Sequence, residues 1–233
     1  MNCPDCTSAG TARTIWVQAA NASLVSGRLP AIPFAMPDMP ILILFAKFPL
    51  PGLAKTRLIP ALGERGAAAV HRRLAERTVA TLSSSGLPVE IRYTGAAKAE
   101  FYKWLGTDVA LAPQAEGDLS DRLIDAARDM PHIFFGADTP DLEPRHILAA
   151  AKALDDHDIV IGPAKDGGYY LIGMRQARPE LLTDMPWSTE QVCPETLHRA
   201  EALGLSVALI ETLSDCDRPE DLPQWPWLTE ELA

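Results

Sequence analysis

The sequence predicts one α/β domain built on a mostly parallel sheet. Three observations support this. Short apolar runs of strand length alternate with longer segments of helical spacing along most of the chain. The first run, Ile41–Ala46, is apolar at every position, as a strand buried on both faces must be. Conspicuous polar residues fall just after such runs: Lys47 after the first, Asp138 after a middle one, Asp215 and Asp217 after the last. Open α/β sheets bind ligands beyond the C-terminal ends of their strands.

The elements follow in order. Residues 1–38 are rich in Ala, Ser, Asn and Pro and have no sustained periodicity, so they are expected to be a disordered extension or to precede the true start at Met36 or Met39. They lack the charged segment and apolar run of a secretion signal. Residues 39–233 make up the expected domain. After Ile41–Ala46 comes a Pro/Gly-rich loop, Phe48–Gly52. A helix is expected from about Gly63 to Leu82, with Ala67, Val70, Leu74 and Leu82 on one face. Val89–Tyr93 reads as a strand, Ala97–Leu105 as a helix and Val109–Ala112 as a short strand. A helix over Asp118–Met130 would turn Leu119, Leu123, Ala126 and Met130 inward, with acidic residues in its first turn. His132–Ala137 is the next strand. Pro144 suits the first position of a helix whose inner face carries Ile147, Ala151 and Leu154. Asp158–Gly162 and Tyr169–Met174 read as strands. A helix from near Pro194 ends at Gly204, and Leu205–Ile210 is the last strand.

Composition narrows the function. The net charge of −10 argues against nucleic-acid binding, which needs clustered cations to displace counterions. No run approaches the roughly 18 apolar residues of a membrane span. Lys47, Lys55 and Arg57 nevertheless form one local basic cluster, which suits a small anionic ligand. The four cysteines include one C-x-x-C, Cys3 and Cys6, with no second pair and no histidines at zinc-ligand spacing. It reads as incidental, and sparse cysteine fits a cytoplasmic protein.

Several segments carry potential chemistry. The loop from Lys47 to Arg57 offers Gly52 for close backbone approach, the Thr56 hydroxyl, and three cations for phosphate oxygens. It matches neither the Walker loop nor the dinucleotide fingerprint. Gly136–Leu142 places Asp138 at a strand end, where a carboxylate can hold Mg²⁺ or Mn²⁺ against phosphates; Asp141, just before Glu143 and Pro144, reads more simply as a helix cap. Asp215 and Asp217 form a D-x-D that could supply a second metal ligand. In Ala164–Tyr170, two glycines beside Asp166 fit a close approach to ligand, with Asp166 as a general base, or a plain hairpin turn. In Gln114–Arg122, Gln114 and Asp118 could contact base or ribose, and capping accounts for Asp118 on its own. Tyr169, Trp187 and Ser188 could wall an acceptor, although a tryptophan is more often core.

Several of these segments, in this order, resemble the bacterial radical-SAM/selenodomain-associated transferase 1 family, the arsenosugar-biosynthesis glycosyltransferase-like proteins. The resemblance rests on Phe45–Leu58, Gly117–Leu123, Gly136–Leu142, Asp166–Gly173, Trp187–Thr189 and Asp215–Leu222. It implies the GT-A nucleotide-diphospho-sugar transferase fold, a three-layer α/β sandwich. It also implies Lys47, Lys55 and Arg57 at the phosphates, Asp138 at a divalent metal and Asp217 as its second ligand. Two positions depart from the family's pattern: Ser120 stands where glycine is usual and Arg218 where threonine is usual.

The expected function is therefore sugar transfer from a nucleotide diphospho-sugar to a small-molecule acceptor, with Lys55 and Asp166 closest to the chemistry. The basic loop also resembles that of phospholactate guanylyltransferases, in which an acceptor phosphate attacks a nucleoside triphosphate and pyrophosphate leaves. A nucleotide-binding protein without turnover is the third reading.

Overall fold

The computed structural model describes residues 39–230. The expectation for residues 1–38, and the Cys3–Cys6 pair, fall outside that range. The chain forms a seven-stranded sheet: β1 (Ile41–Lys47), β2 (Val89–Thr94), β3 (Ala110–Pro113), β4 (His132–Phe135), β5 (Ile159–Pro163), β6 (Tyr169–Met174) and β7 (Val207–Leu209). The strand order is β3-β2-β1-β4-β6-β5-β7. Every pairing is parallel except the two made by β6, which runs antiparallel to β4 and β5. The cause is local. Only Ala164–Gly168 joins β5 to β6, closed by a bond from the Ala164 N–H to the Gly168 carbonyl (3.0 Å). Parallel neighbours would need a crossover of a dozen or more residues.

Five helices cover the sheet: α1 (Ile59–Ser84), α2 (Lys98–Leu105), α3 (Leu119–Ala126), α4 (Pro144–Asp156) and α5 (Val192–Ala202). Strand β1 explains why its run is apolar throughout. Leu42, Leu44 and Ala46 pack into a core with Leu82 of α1, Phe101 of α2 and Ile147 of α4. Ile41 and Ile43 face the opposite core, with Leu123 of α3 and Ala200 of α5. Alternate side chains of one strand thus serve two layers, and the molecule is the expected three-layer α/β sandwich. A third cluster joins Leu58, Val70 and Leu74 to Trp225 and Leu228 of two C-terminal 3-10 turns, which the periodicity did not indicate.

Several details differ from the sequence reading. The 26-residue span of α1 includes Gly63 in a non-helical conformation, so the continuous helix begins after it, close to the expected start. Helix α3 ends at Ala126 rather than Met130, because the Arg128 guanidinium turns back to cap the Ala126 and Ala127 carbonyls (2.9 and 3.3 Å) and Pro131 disfavours helix at Met130. Leu119, expected inside, is 39% exposed at the first position of α3. On α4 it is Ala150 rather than Ala151 that is fully buried. No helix among the described residues is long and apolar enough to cross a membrane.

Candidate active site at the strand ends

The loops after β1, β4 and β5 and the segment after β7 converge on a cavity of about 840 Å³. Its centre is Lys55. The ammonium lies 2.8 Å from Asp138 Oδ1 and 3.3 Å from Asp217 Oδ1, and donates to the Cys216 carbonyl at 2.7 Å. The Lys55 side chain is 4% exposed. Burial works against its charge, but Asp138 and then Asp217 outweigh that and raise its pKa above the ordinary 10.5. The partners are mutually braced. The Cys216 N–H donates to the Asp138 backbone carbonyl (2.9 Å), and Asp221 Oδ2 accepts from the Asp217 and Arg218 amides (3.0 and 2.7 Å). Arg57 also pairs with Asp217, through the other carboxylate oxygen. Burial raises the Asp217 pKa, and Lys55 and Arg57 together overturn this and hold it below 3.8.

Backbone strain marks the same place. Lys55 (φ +47°) and Ser188 (φ +64°) are two of only three described non-glycine residues with positive φ, and both line the cavity. Such conformations cost about 1–3 kcal/mol each and concentrate at ligand sites. The hairpin that makes β6 antiparallel also carries Asp166 into the lining of the cavity, and the turn reading of that segment holds. Asp166 Oδ1 accepts from the Gly168 amide at 2.9 Å, and the side chain stays exposed. Gly167 has φ +89°, and a Cβ there would lie 2.4 Å from the Glu190 carbonyl oxygen. Asp215 shares the cavity; burial first, then Asp166, raises its pKa.

Of the residues expected from sequence, Lys47, Lys55, Thr56, Arg57, Asp138, Asp166, Ser188 and Asp217 line this cavity. Tyr169 and Trp187 line a smaller pocket beside it. Gly52, Gln114 and Asp118 line neither. Gly52 takes φ +77° and faces the Glu64 carboxylate, so it shapes the loop. Gln114 donates to the Arg92 carbonyl at 2.9 Å, and Asp118 caps α3 in a reciprocal box with Asp121. Asp141 does not cap α4, which Glu143 does; it accepts from the Trp225 indole at 2.9 Å and anchors the C-terminal turns.

The sequence reading missed His71 and the place of Arg218. His71 Nε2 donates to the Lys47 carbonyl at 2.8 Å and lines the cavity from α1. Its only sequence signal is a polar residue within an otherwise apolar inner stripe. Burial holds its pKa below 6.5, against the pull of the Lys47 carbonyl and Asp138. Arg218, a departure from the family pattern, adds a further cation to the lining. The other departure, Ser120, donates to the Leu182 carbonyl (2.6 Å) and accepts from the Trp187 indole (2.9 Å), which pins that ring.

Among the described residues no group of three or more His, Cys, Asp or Glu forms a ready metal cage. Mg²⁺ and Mn²⁺ at phosphates commonly use one or two carboxylates, with phosphate and water completing the shell. Asp138 fits that role: one oxygen meets Lys55, and the side chain is 48% exposed. Both oxygens of Asp217 already meet cations.

A bacterial family described only as an uncharacterized protein conserved in bacteria, DUF2064, matches residues 77–189. That segment includes Asp138, Asp166 and Ser188. No curated protein matches the chain. A crystal structure from Desulfovibrio desulfuricans G20, provisionally named a nucleotide-diphospho-sugar transferase, is 27% identical over 82% of this chain and 88% of its own, with a TM-score of 0.73. A Methanothermobacter nucleotidyl transferase (17% identity, 84% and 98% covered, TM-score 0.54) shares the fold. So does the 4-diphosphocytidyl-2C-methyl-D-erythritol synthase of Anaerococcus prevotii (10% identity, 80% and 94% covered, TM-score 0.51). The chain thus has the α/β fold found in nucleotide-diphospho-sugar and nucleotidyl transferases.

Proposed function

We propose that this chain transfers a sugar from a nucleotide diphospho-sugar to a small-molecule acceptor. One observation carries the reading: a buried ammonium, Lys55, is held charged between Asp138 and Asp217 in a cavity whose lining also carries Lys47, Arg57 and the exposed carboxylate of Asp166. In this reading Lys47, Thr56 and Arg57 bind the diphosphate, and Lys55, whose protons go to Asp138, Asp217 and the Cys216 carbonyl, adds its charge from behind them. As the bond between the sugar and the diphosphate breaks, negative charge grows on the departing phosphate. Fixed cations that need no reorganisation stabilise that charge. Asp166 accepts the acceptor's hydroxyl proton. Mg²⁺ or Mn²⁺ at Asp138 would supply further neutralisation of the diphosphate.

The basic loop would also suit a triphosphate, as in nucleotidyl transfer. The acidic part of the cavity favours sugar transfer. Asp166, Asp215 and Glu190 line it, so they would repel a phosphorylated acceptor, whereas a neutral hydroxyl gains a base. A thermal-shift screen of sugar nucleotides and nucleoside triphosphates, with and without Mn²⁺, tests the choice. A larger shift with a sugar nucleotide supports the proposal, and a larger shift with a triphosphate supports nucleotidyl transfer. No shift with either class would count against both.

A further inference from the structure

Beside the polar cavity lies a second pocket, of about 220 Å³, that shares Asp166, Ser188 and Thr189 with it. Its walls differ in kind. Phe45 and Leu123 line it together with Phe134, Ile172 and Trp187, and half-exposed Leu119 lies at its mouth. Tyr169 also lines it, but its hydroxyl is fully buried, so the ring carbons are what the pocket meets.

These walls are held in place. Phe45 and Phe134 pack edge to face at 5.8 Å, and Tyr169 and Trp187 do so at 6.3 Å. The Trp187 indole N–H is occupied by Ser120, whose own proton goes to the Leu182 carbonyl. Thr189, at the junction, spends its hydroxyl on the Pro186 carbonyl (2.7 Å). The polar side chains left at the junction are the Asp166 carboxylate and the Ser188 hydroxyl.

We infer that the acceptor is an uncharged hydroxyl compound with an apolar ring or compact branched body. The body fills this pocket and the hydroxyl projects past Ser188 toward Asp166. This inference rests on the transferase reading and narrows its acceptor class. Size supports it: an apolar cavity of roughly 150 Å³ accommodates benzene, so this one takes a single ring with a short substituent. Chemistry supports it too, because a sugar-like polyol would leave most of its hydroxyls against carbon without partners. A phosphorylated or carboxylated acceptor would meet Asp166 at the junction, with Asp215 and Glu190 in the polar cavity beyond it.

The test is ligand-observed NMR with benzyl alcohol, benzyl phosphate and glycerol, on the wild type and Leu119→Trp, with uridine and guanosine diphosphate titrated into the same samples. The indole introduced at the mouth blocks the pocket from a site that already faces solvent. Benzyl alcohol is expected to bind the wild type and to bind at least tenfold more weakly to Leu119→Trp, with diphosphate affinity unchanged. Benzyl alcohol binding that Leu119→Trp leaves intact overturns the inference. So does glycerol or benzyl phosphate binding the pocket as well as benzyl alcohol. If neither diphosphate binds either protein, the transferase reading fails instead, so the two failures appear on different ligands.

Discussion

The Lys55 ammonium and the Asp138 carboxylate meet at 2.8 Å across the C-terminal ends of two adjacent strands, β1 and β4. The Lys55 side chain is almost wholly buried, so this pair cannot be removed quietly. Lys55→Met leaves Asp138 and Asp217 facing each other without the cation between them. Breaking a fully buried pair costs about 3–5 kcal/mol; Asp138 is half exposed and solvent screens part of that cost, so urea unfolding should show a loss of about 1–3 kcal/mol. Diphosphate affinity in calorimetry should fall at least tenfold. Wild-type affinity in Lys55→Met would remove Lys55 from the phosphate site.

Protonation gives a second check. Burial depresses the His71 pKa below 6.5, and burial likewise depresses that of His132. The unfolded chain therefore binds these protons more readily than the folded one. Stability from both residues is complete above pH 6.5 and is lost as pH falls through the folded values. Lys55 acts at the other end, its contribution intact below pH 10.5 and lost above its raised pKa. Denaturation midpoints should fall between pH 7 and pH 5, and His71→Gln should flatten part of that slope while His132 keeps the rest. An unchanged slope in His71→Gln would show that His71 is not the buried neutral ring described above.

Asp166→Asn keeps an oxygen able to accept the Gly168 amide, so the turn should survive. It removes the proposed base. Turnover with sugar nucleotide and acceptor should drop roughly 10²–10⁴-fold, the usual worth of general base catalysis, with diphosphate affinity unchanged. Full activity would exclude Asp166 from proton transfer and return weight to nucleotidyl transfer, where an ionised phosphate needs no base.

Asp138 is the proposed carboxylate for a divalent ion. Mn²⁺ should broaden its electron paramagnetic resonance signal on mixing with protein and nucleoside diphosphate together, and Asp138→Ala should abolish most of that change. The measurement reads the ion itself, independent of turnover. A signal change retained in Asp138→Ala would move the ion elsewhere.

At Gly167 a side chain has no room. With φ +89° and the Glu190 backbone in the way, Gly167→Ala must displace the segment that carries Ser188 and Thr189. A loss of about 1–3 kcal/mol is expected from strain alone, with weaker acceptor binding. An alanine variant as stable as the wild type would mean that the two segments are not in rigid contact.

Much of the scaffold was legible because its signals are local. The unbroken apolar run of Ile41–Ala46 reports burial on both faces, Asp118 announces the start of α3, and two glycines after Asp166 announce a turn. The antiparallel placement of β6 was one of two readings left open, as a hairpin at Asp166, and it follows from the brevity of Ala164–Gly168. Asp141 misled because an aspartate just before a proline-initiated helix looks the same whether it caps that helix or, as here, holds an indole from the far C-terminal turns. The exposure of Leu119 was illegible for a similar reason: helical spacing shows which residues share a face, but not whether a neighbour covers it.

The sequence alone determined the α/β class, the positions of the strands and the residue types offered at their ends. Periodicity, charge and turn chemistry act between residues close along the chain, so they can be read one segment at a time. Only the tertiary structure decided that Lys55 lies between Asp138 and Asp217, that His71 holds the Lys47 carbonyl, and that an apolar pocket opens beside Asp166. Those juxtapositions depend on strand order, which sets β4 against β1, and on packing between segments far apart in the chain. Neither leaves a mark within any single segment.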